Sequence, residues 1–95
     1  MNKYEVLYIL KASLSDDEIT AITEKYAELV KNSGGEVEKV DKWGIKRFAY
    51  PIKFKTEGYY VLMTYTAPAE LPKEMERQMG ISDDVYRFMT TKAIA

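Results

Sequence analysis

The order of two kinds of hydrophobic pattern along the chain most constrains its fold. Four strand-like stretches, rich in β-branched and aromatic residues, cover residues 3–11, residues 36–40 resumed at 47–54, residues 59–65 and residues 85–92. Two segments with apolar residues at helical spacing lie between them, one after Ser15 and one over residues 68–79. The order strand, helix, strand, strand, helix, strand predicts an α+β, ferredoxin-like βαββαβ sandwich. We expect a four-stranded antiparallel sheet of order 4-1-3-2, with both helices on one face.

Local signals mark the ends of the two predicted helices. Ser15 and Glu18 have the spacing of a capping box, which predicts the start of the first helix, and the two glycines within residues 32–35 predict its end. In the second helix, Pro72 suits the first turn and Gly80 suits the C-cap. The apolar stripes predicted to face the core are Ile19, Ile22, Tyr26, Leu29 and Val30 in the first helix and Leu71, Met75 and Met79 in the second.

The strands carry signals of their own. Residues 42–44 indicate a bend or bulge, Pro51 indicates a sheet edge or a bulge, and residues 55–58 indicate a turn. The two strands expected at the centre, residues 3–11 and 59–65, are apolar on both faces. In the first strand the alternation places Tyr4, Val6, Tyr8 and Leu10 on one face and Glu5, Leu7 and Ile9 on the other. The face that the helices leave open must therefore be covered by a partner or be unusually apolar.

Composition excludes several classes of function. A chain of 95 residues suits one domain, residues 1–95. It has no cysteine and no histidine, which removes disulfides, thiolate metal sites and the commonest general base. We expect no enzyme, no cofactor and no small-molecule substrate. Residues 1–10 make a poor signal peptide, and no apolar stretch approaches the roughly 18 to 20 residues of a membrane span. A cytoplasmic protein without a membrane partner is expected.

Charge is distributed unevenly along the chain. Residues 39–55 carry six cations and one anion, whereas the rest of the chain carries eight cations and fourteen anions. Two interpretations remain open. Lysines such as Lys53 and Lys55 on an edge strand discourage aggregation between sheet edges. Alternatively Lys46 and Arg47, beside Trp43, contact the phosphates of a nucleic acid, with the indole against a sugar or base.

The segment Gly44-Ile45-Lys46-Arg47-Phe48-Ala49-Tyr50-Pro51-Ile52-Lys53 resembles the signature of the sixth protein of the bacterial small ribosomal subunit. Phe48 stands where that family usually has Leu, which is a change between two large apolar residues. The likeness extends over nearly the whole chain. Lys3-Tyr4-Glu5 is similar to the family's opening, residues 58–63 to its third strand, and residues 85–92 to its last.

The resemblance implies a structural, non-catalytic protein of the small ribosomal subunit. It implies binding to the central domain of the small-subunit ribosomal RNA, as a heterodimer with the small basic eighteenth protein of that subunit. The residues expected to contact RNA are Lys3, Lys42, Lys46, Arg47, Arg87 and Lys92. The residues expected to contact the partner protein are Tyr8, Tyr60 and Leu62. A basic partner would also explain how an acidic chain can bind RNA.

One alternative comes from another class of protein. Many ferredoxin-like domains form homodimers through the open sheet face and bind ligands between subunits, which would make Tyr8, Tyr60 and Met63 a dimer interface. A hydrolase of the acylphosphatase type would need an Arg-bearing phosphate cradle, and residues 10–14 contain neither Arg nor Gly. Tyr59 and Tyr60 also lack the full stacking signature of RNA-recognition motifs, which favours packing roles for them.

Overall fold

The computed structural model describes residues 2–52 and 55–92. Its elements in chain order are β1 (Asn2–Lys11), α1 (Asp16–Asn32), β2 (Glu36–Ile52), β3 (Lys55–Ala67), α2 (Leu71–Ile81) and β4 (Val85–Lys92). The strands form one antiparallel sheet in the order β2-β3-β1-β4. Read from the other edge, this order is 4-1-3-2. The predicted ferredoxin-like sandwich is therefore confirmed, with both helices on one face of the sheet.

The core lies between the helices and one face of the central strands. Residues directly opposite each other on neighbouring strands share a face. Val6 lies opposite Met63 and Tyr8 opposite Val61, and all four side chains are fully buried. The helical residues buried against this face are Ile19, Tyr26 and Val30 of α1 and Leu71, Met75 and Met79 of α2. Both predicted apolar stripes are confirmed.

The capping box fixes the start of α1. The Glu18 backbone N–H donates to Ser15 Oγ at 3.2 Å, and the Ser15 backbone N–H donates to Glu18 Oε1 at 3.3 Å. These two bonds satisfy donors that the first turn of a helix otherwise leaves unpaired. The helix ends at Asn32, and Gly34 follows with a φ of 87°. Both ends of α1 therefore lie where the sequence predicts them.

β2 is an edge strand interrupted by the predicted bulge. Its pairing with β3 shifts register between Lys42 and Gly44, so that one residue of β2, Trp43, has no direct counterpart. Gly44 has a φ of 88°, a conformation that residues with a side chain rarely adopt. Pro51 lies on this edge strand, as expected. Residues 53 and 54, which end the predicted strand, lie outside the described residues.

Two predictions of local structure are wrong. Residues 55–58 belong to β3, because Lys46 pairs with Gly58 and Arg47 with Glu57 in the ladder. Continued cross-strand pairing overrides the turn preference of this short segment. Gly80 lies inside α2, which begins at Leu71 and ends at Ile81. The residue that follows the helix is Ser82, so glycine does not form the C-cap.

Candidate nucleic-acid interface

The sheet face that the helices leave open carries an apolar band. Leu7 lies opposite Leu62 on one side and Met89 on the other, and Ile9 lies opposite Tyr60. Met89 is 53% exposed, whereas Ile9 is buried by its neighbours on the sheet. These five residues, from three adjacent strands, form what we call the apolar band. An exposed apolar surface bordered by charges is typical of an interaction site.

One end of the open face is cationic. Lys46 and Lys11 lie on either side of Gly58, and Arg87 lies opposite Ile9. Lys11 Nζ lies 3.6 Å from a carboxylate oxygen of Asp84. Within the described part of the chain, no carboxylate comes within 4.0 Å of the charged groups of Lys46 or Arg87. We call Lys11, Lys46 and Arg87 the cationic end; two of its three charges are uncompensated.

The other end of the open face has mixed charge with an acidic excess. Lys3 Nζ lies 3.6 Å from Glu38 Oε1, and Lys39 Nζ lies 3.3 Å from Asp41 Oδ2. Glu5 has no ion pair among the described residues. These five residues, with Leu62 and Thr64, line a depression of about 440 Å³. We call them the acidic end, since three carboxylates face two ammonium groups.

An aromatic pair extends the cationic end onto β2. The rings of Trp43 and Tyr60 are nearly parallel, with an interplanar angle of 9° and 6.3 Å between centroids. The ammonium group of Lys46 lies 5.1 Å from the centroid of the Trp43 ring, within the range of a cation–π contact. Trp43 remains 45% exposed. We call these three residues the aromatic column.

The cations predicted to contact RNA fall on two sides of the sheet. Lys3, Lys46 and Arg87 lie on the open face. Lys42, Arg47 and Lys92 lie on the side of the helices, opposite Val61, Glu57 and Tyr4 respectively. Lys42 Nζ donates to Thr20 Oγ1 of α1 at 3.2 Å. The structure therefore brings Lys46 and Arg87 to one end of one face, and it does not join all six predicted residues into one site.

The prediction that Tyr8 binds a partner is wrong. Its ring lies under the helices with no exposed surface, and its hydroxyl donates to Thr23 Oγ1 at 3.3 Å. Burial raises the pKa of Tyr8 to about 12, and the hydrogen bond between Tyr8 and Thr23 opposes this rise. Met63 is also fully buried, so it belongs to no dimer interface. Tyr60 and Leu62 do lie on the open face, half-buried.

Sequence reasoning missed the residues of β1 and β4 in the apolar band. Leu7 and Ile9, not Tyr8, are the β1 residues on the open face. The sequence does contain a signal for this face. Lys3, Glu5, Leu7 and Ile9 are alternate residues of β1, so all four lie on the same face of the strand. Charged residues on one face of a strand indicate which face is open to solvent.

Other kinds of site find little support in the described residues. No group of three or more acidic side chains among them could hold a metal ion. Neither described helix is both long enough and apolar enough to cross a membrane.

Comparisons with known proteins agree with one another. The family model described as "Ribosomal protein S6" matches residues 3–92. The chain is 45% identical over 92 residues to "Small ribosomal subunit protein bS6" of Desulfitobacterium hafniense (strain DSM 10664 / DCB-2), which covers 97% of each chain. It is 46% identical over 89 residues to the protein of that name from Clostridium botulinum (strain Loch Maree / Type A3), covering 94% of this chain and 95% of the relative.

Two further comparisons concern length and fold. A relative of the same name from Chelativorans sp. (strain BNC1) is 43% identical over 95 residues; the whole chain corresponds to only 64% of that protein. Among solved structures, 30S ribosomal protein S6 from Thermotoga maritima superposes with a TM-score of 0.90 at 22% identity, covering 97% of this chain and 87% of the other. At that level of identity the superposition establishes the fold alone.

Proposed function

Because the chain belongs to the ribosomal protein S6 family, we propose that it binds the central domain of small-subunit ribosomal RNA together with the basic eighteenth protein of that subunit. The family is a structural component of the small subunit of the bacterial ribosome, and hence of the cytoplasm. The proposed mechanism is binding without turnover, by residues 1–95 acting as one domain. The heterodimer holds a segment of RNA in a folded arrangement.

The observation that supports this proposal is the change in chemical character from one end of the open face to the other. Uncompensated cations lie at one end, an apolar band lies in the middle, and the acidic end lies beyond it. One face thus offers two chemistries to two partners. Phosphates are attracted to free cations, and a basic protein is attracted to apolar surface flanked by carboxylates.

For the RNA, the proposed principal contacts are Lys46 and Arg87. They lie on β2 and β4, three strand spacings or roughly 14 Å apart across the sheet, so they would meet different phosphates. The guanidinium of Arg87 can grip a phosphate with two hydrogen bonds, whereas Lys46 acts as a point charge. Lys42, Arg47 and Lys92 remain proposed contacts from the helix side, and Lys3 from the far end of the open face.

For the protein partner, the proposed contacts are Tyr60 and Leu62, joined by Leu7 and Met89. Large apolar side chains at the centre of an interface usually supply most of its affinity. The neighbouring acidic end would complement the positive charge of the partner. This division also explains how a chain with a net charge of −1 takes part in RNA binding: its partner supplies part of the phosphate neutralisation.

A gel-shift titration tests the proposal. A central-domain fragment of small-subunit ribosomal RNA is titrated with the chain alone, with the basic partner alone and with both, at two salt concentrations. We expect tight binding only when both proteins are present, with affinity falling steeply as salt rises. No binding by the folded pair would overturn the proposal. Sedimentation of the free chain checks the alternative, since a stable homodimer would indicate that a second copy covers the apolar band.

A further inference from the structure

We propose that the aromatic column is a binding site for one unpaired nucleotide of RNA. The base would lie against the rings of Trp43 and Tyr60, and the phosphate would contact the ammonium group of Lys46. This inference rests on the proposed RNA-binding function and adds to it a particular contact. It concerns an extruded or single-stranded nucleotide, not the backbone of a duplex.

The backbone of β2 brings the column together. In a regular strand, residues three positions apart point to opposite faces, so Trp43 and Lys46 would be separated by the sheet. At the register shift between Lys42 and Gly44, one extra residue is inserted into β2, so the alternation of side chains between the two faces is interrupted once. Lys46 therefore lies on the same face as Tyr60, and Trp43 stacks beside both. The left-handed conformation of Gly44, with a φ of 88°, accompanies the shift.

Exposure and charge favour a nucleotide over a protein at this position. Trp43 keeps 45% of its surface exposed, although it is the largest apolar side chain on the open face. Nearly parallel aromatic rings can accept any base, since every base has a π-face. The charges of Lys46 and Arg87, which form no ion pair within the described residues, also lie at this end, and burying them against a protein without counter-charges would be unfavourable. A phosphodiester chain supplies those counter-charges.

Contact with Trp43 also positions Lys46. A lysine side chain has four rotatable bonds, and ordering it on binding costs free energy. The distance of 5.1 Å between the ammonium nitrogen and the ring centroid limits where that charge can be. A charge that is already in place loses less freedom when a phosphate arrives. Trp43 therefore has two roles in this proposal: it stacks on the base and it orients the cation.

The chain has a single tryptophan, which permits a direct test. The protein is labelled with 5-fluorotryptophan, so that its ¹⁹F signal reports on Trp43 alone. Spectra are recorded for the free chain, after addition of the unlabelled basic partner, and after addition of the central-domain RNA fragment. Because Tyr60 stacks on Trp43 and is also a proposed partner contact, the partner alone can shift this resonance, and the deciding step is the addition of RNA to the complex of the two proteins. We expect a further shift at that step. A resonance that moves with the partner and does not move again with RNA would overturn the inference in favour of a protein contact.

Substitutions provide the second part of the test. Trp43→Ala should weaken RNA binding by the complete complex by roughly 5- to 100-fold, the range found for losing one stacked base. Trp43→Phe, which keeps a ring, should retain affinity within about threefold of the unchanged protein. The matched control is Ile45→Ala: Ile45 is 56% exposed on the same strand but lies on the opposite face, across from Tyr59. Its loss should leave affinity unchanged.

The outcomes separate this inference from the function on which it rests. If the complex binds RNA but neither the ¹⁹F signal nor Trp43→Ala responds, the column is no nucleotide site, and the proposed function stands. If Trp43→Ala and Ile45→Ala weaken binding equally, the effect is not specific to the column, and the inference fails. If no RNA binds under any condition, the proposed function fails and the inference fails with it.

Discussion

Lys46 and Arg47 are adjacent in the chain but lie on opposite faces of β2. Lys46 is paired with Gly58, whose missing side chain leaves the ammonium group open on the sheet face. Arg47 is paired with Glu57, on the side of the helices. The two cations therefore cannot approach the same stretch of a phosphate backbone from one direction. They act as separate contacts, and their contributions can be measured independently.

Replacing these residues one at a time should give different losses of RNA affinity. Lys46→Ala should weaken the complex with RNA and the partner by about 10- to 100-fold, the usual scale of a hydrogen bond to a charged group. It should also reduce the slope of log K against log salt by about one. Arg47→Ala should have a smaller effect, since Glu57 opposes its charge. Salt-dependent gel shifts give both quantities.

The double variant tests whether the two contacts are independent. Because their side chains lie on opposite faces of β2, their losses should add within roughly 0.5 kcal/mol. A loss for Arg47→Ala greater than that for Lys46→Ala would contradict the assignment of the open face to RNA. Circular dichroism should show that all three variants keep their fold.

Truncating side chains of the apolar band should weaken binding to the partner protein and leave the fold intact. Leu62→Ala and Met89→Ala remove contacts from the proposed centre of the protein interface, and each should reduce affinity for the basic partner about 5- to 30-fold. Met89 is 53% exposed, so its truncation should hardly change stability. Titration calorimetry with the partner measures the effect.

A control for this prediction is available on the other side of the molecule. Ile81 is 72% exposed at the end of α2, and Ile81→Ala removes a similar apolar area outside the open face. Affinity for the partner should be unchanged in this variant. Equal losses for Ile81→Ala and Met89→Ala would argue against the apolar band as the partner surface.

Two buried tyrosines should make stability fall at high pH. Burial raises the pKa of Tyr8 and the pKa of Tyr65 to about 12, from 10. In the unfolded chain these hydroxyls lose their protons near pH 10, so between pH 10 and 12 the unfolded state binds fewer protons than the folded state. The contribution of these two hydroxyls to the free energy of unfolding is therefore fully present below pH 10. Above pH 10 it declines, by up to roughly 1.4 kcal/mol per pH unit for each group.

Conversion to phenylalanine separates the two tyrosines. The Tyr65 hydroxyl is buried and has no hydrogen-bond partner among the described residues, so Tyr65→Phe should be neutral or stabilising at pH 7. Tyr8→Phe breaks the hydrogen bond to Thr23 and should cost about 1 kcal/mol. Either change should reduce the decline above pH 10. Urea unfolding from pH 7 to 11 measures both effects; an unaltered decline in Tyr65→Phe would exclude that group as a cause.

Two glycines should respond in opposite ways to replacement by alanine. A Cβ at Gly35 would clash with the backbone oxygen of Thr66, so Gly35→Ala forces the start of β2 away from β3 and should cost more than about 2 kcal/mol. Gly80 lies inside α2, and a Cβ there would meet nothing closer than a Phe88 ring atom at 4.0 Å. Gly80→Ala should stabilise the protein by about 0.5 to 1 kcal/mol. If thermal unfolding showed Gly80→Ala to be less stable than Gly35→Ala, the surroundings described for these two glycines would be wrong.

Much of the fold could be predicted because several local signals agree. The capping box at Ser15, the helical stripes and the strand alternation each specify an element, and the right-handed crossover rule orders the strands. Turn signals were less reliable. Residues 55–58 resemble a turn locally, but their pairing with Lys46, Arg47 and Ile52 of β2 outweighs that preference.

The candidate site was harder to predict than the fold. The choice between Tyr8 and its neighbours Leu7 and Ile9 depends on which face of β1 the helices cover, and both faces are apolar. The side on which Lys46 lies depends on the bulge before Gly44, whose position in the ladder is set by pairing with β3. Arg87 joins Lys46 at one end only through the strand order. The positions of Lys46 and Arg87 are tertiary facts that spacing in the sequence does not contain, whereas for β1 the charges of Lys3 and Glu5 gave the one local signal.

The pairing of β1 with β4 has a consequence for how the chain is made. Residues 4–10 of β1 pair with residues 85–92 of β4. The first strand synthesised can therefore complete its pairing only after the last strand has been made. Until then, one edge of β1 has no neighbour, and Met89 and Arg87 are missing from the open face. A nascent chain therefore lacks the complete surface proposed for its partners. The complete open face forms only after nearly all of the described sequence has emerged.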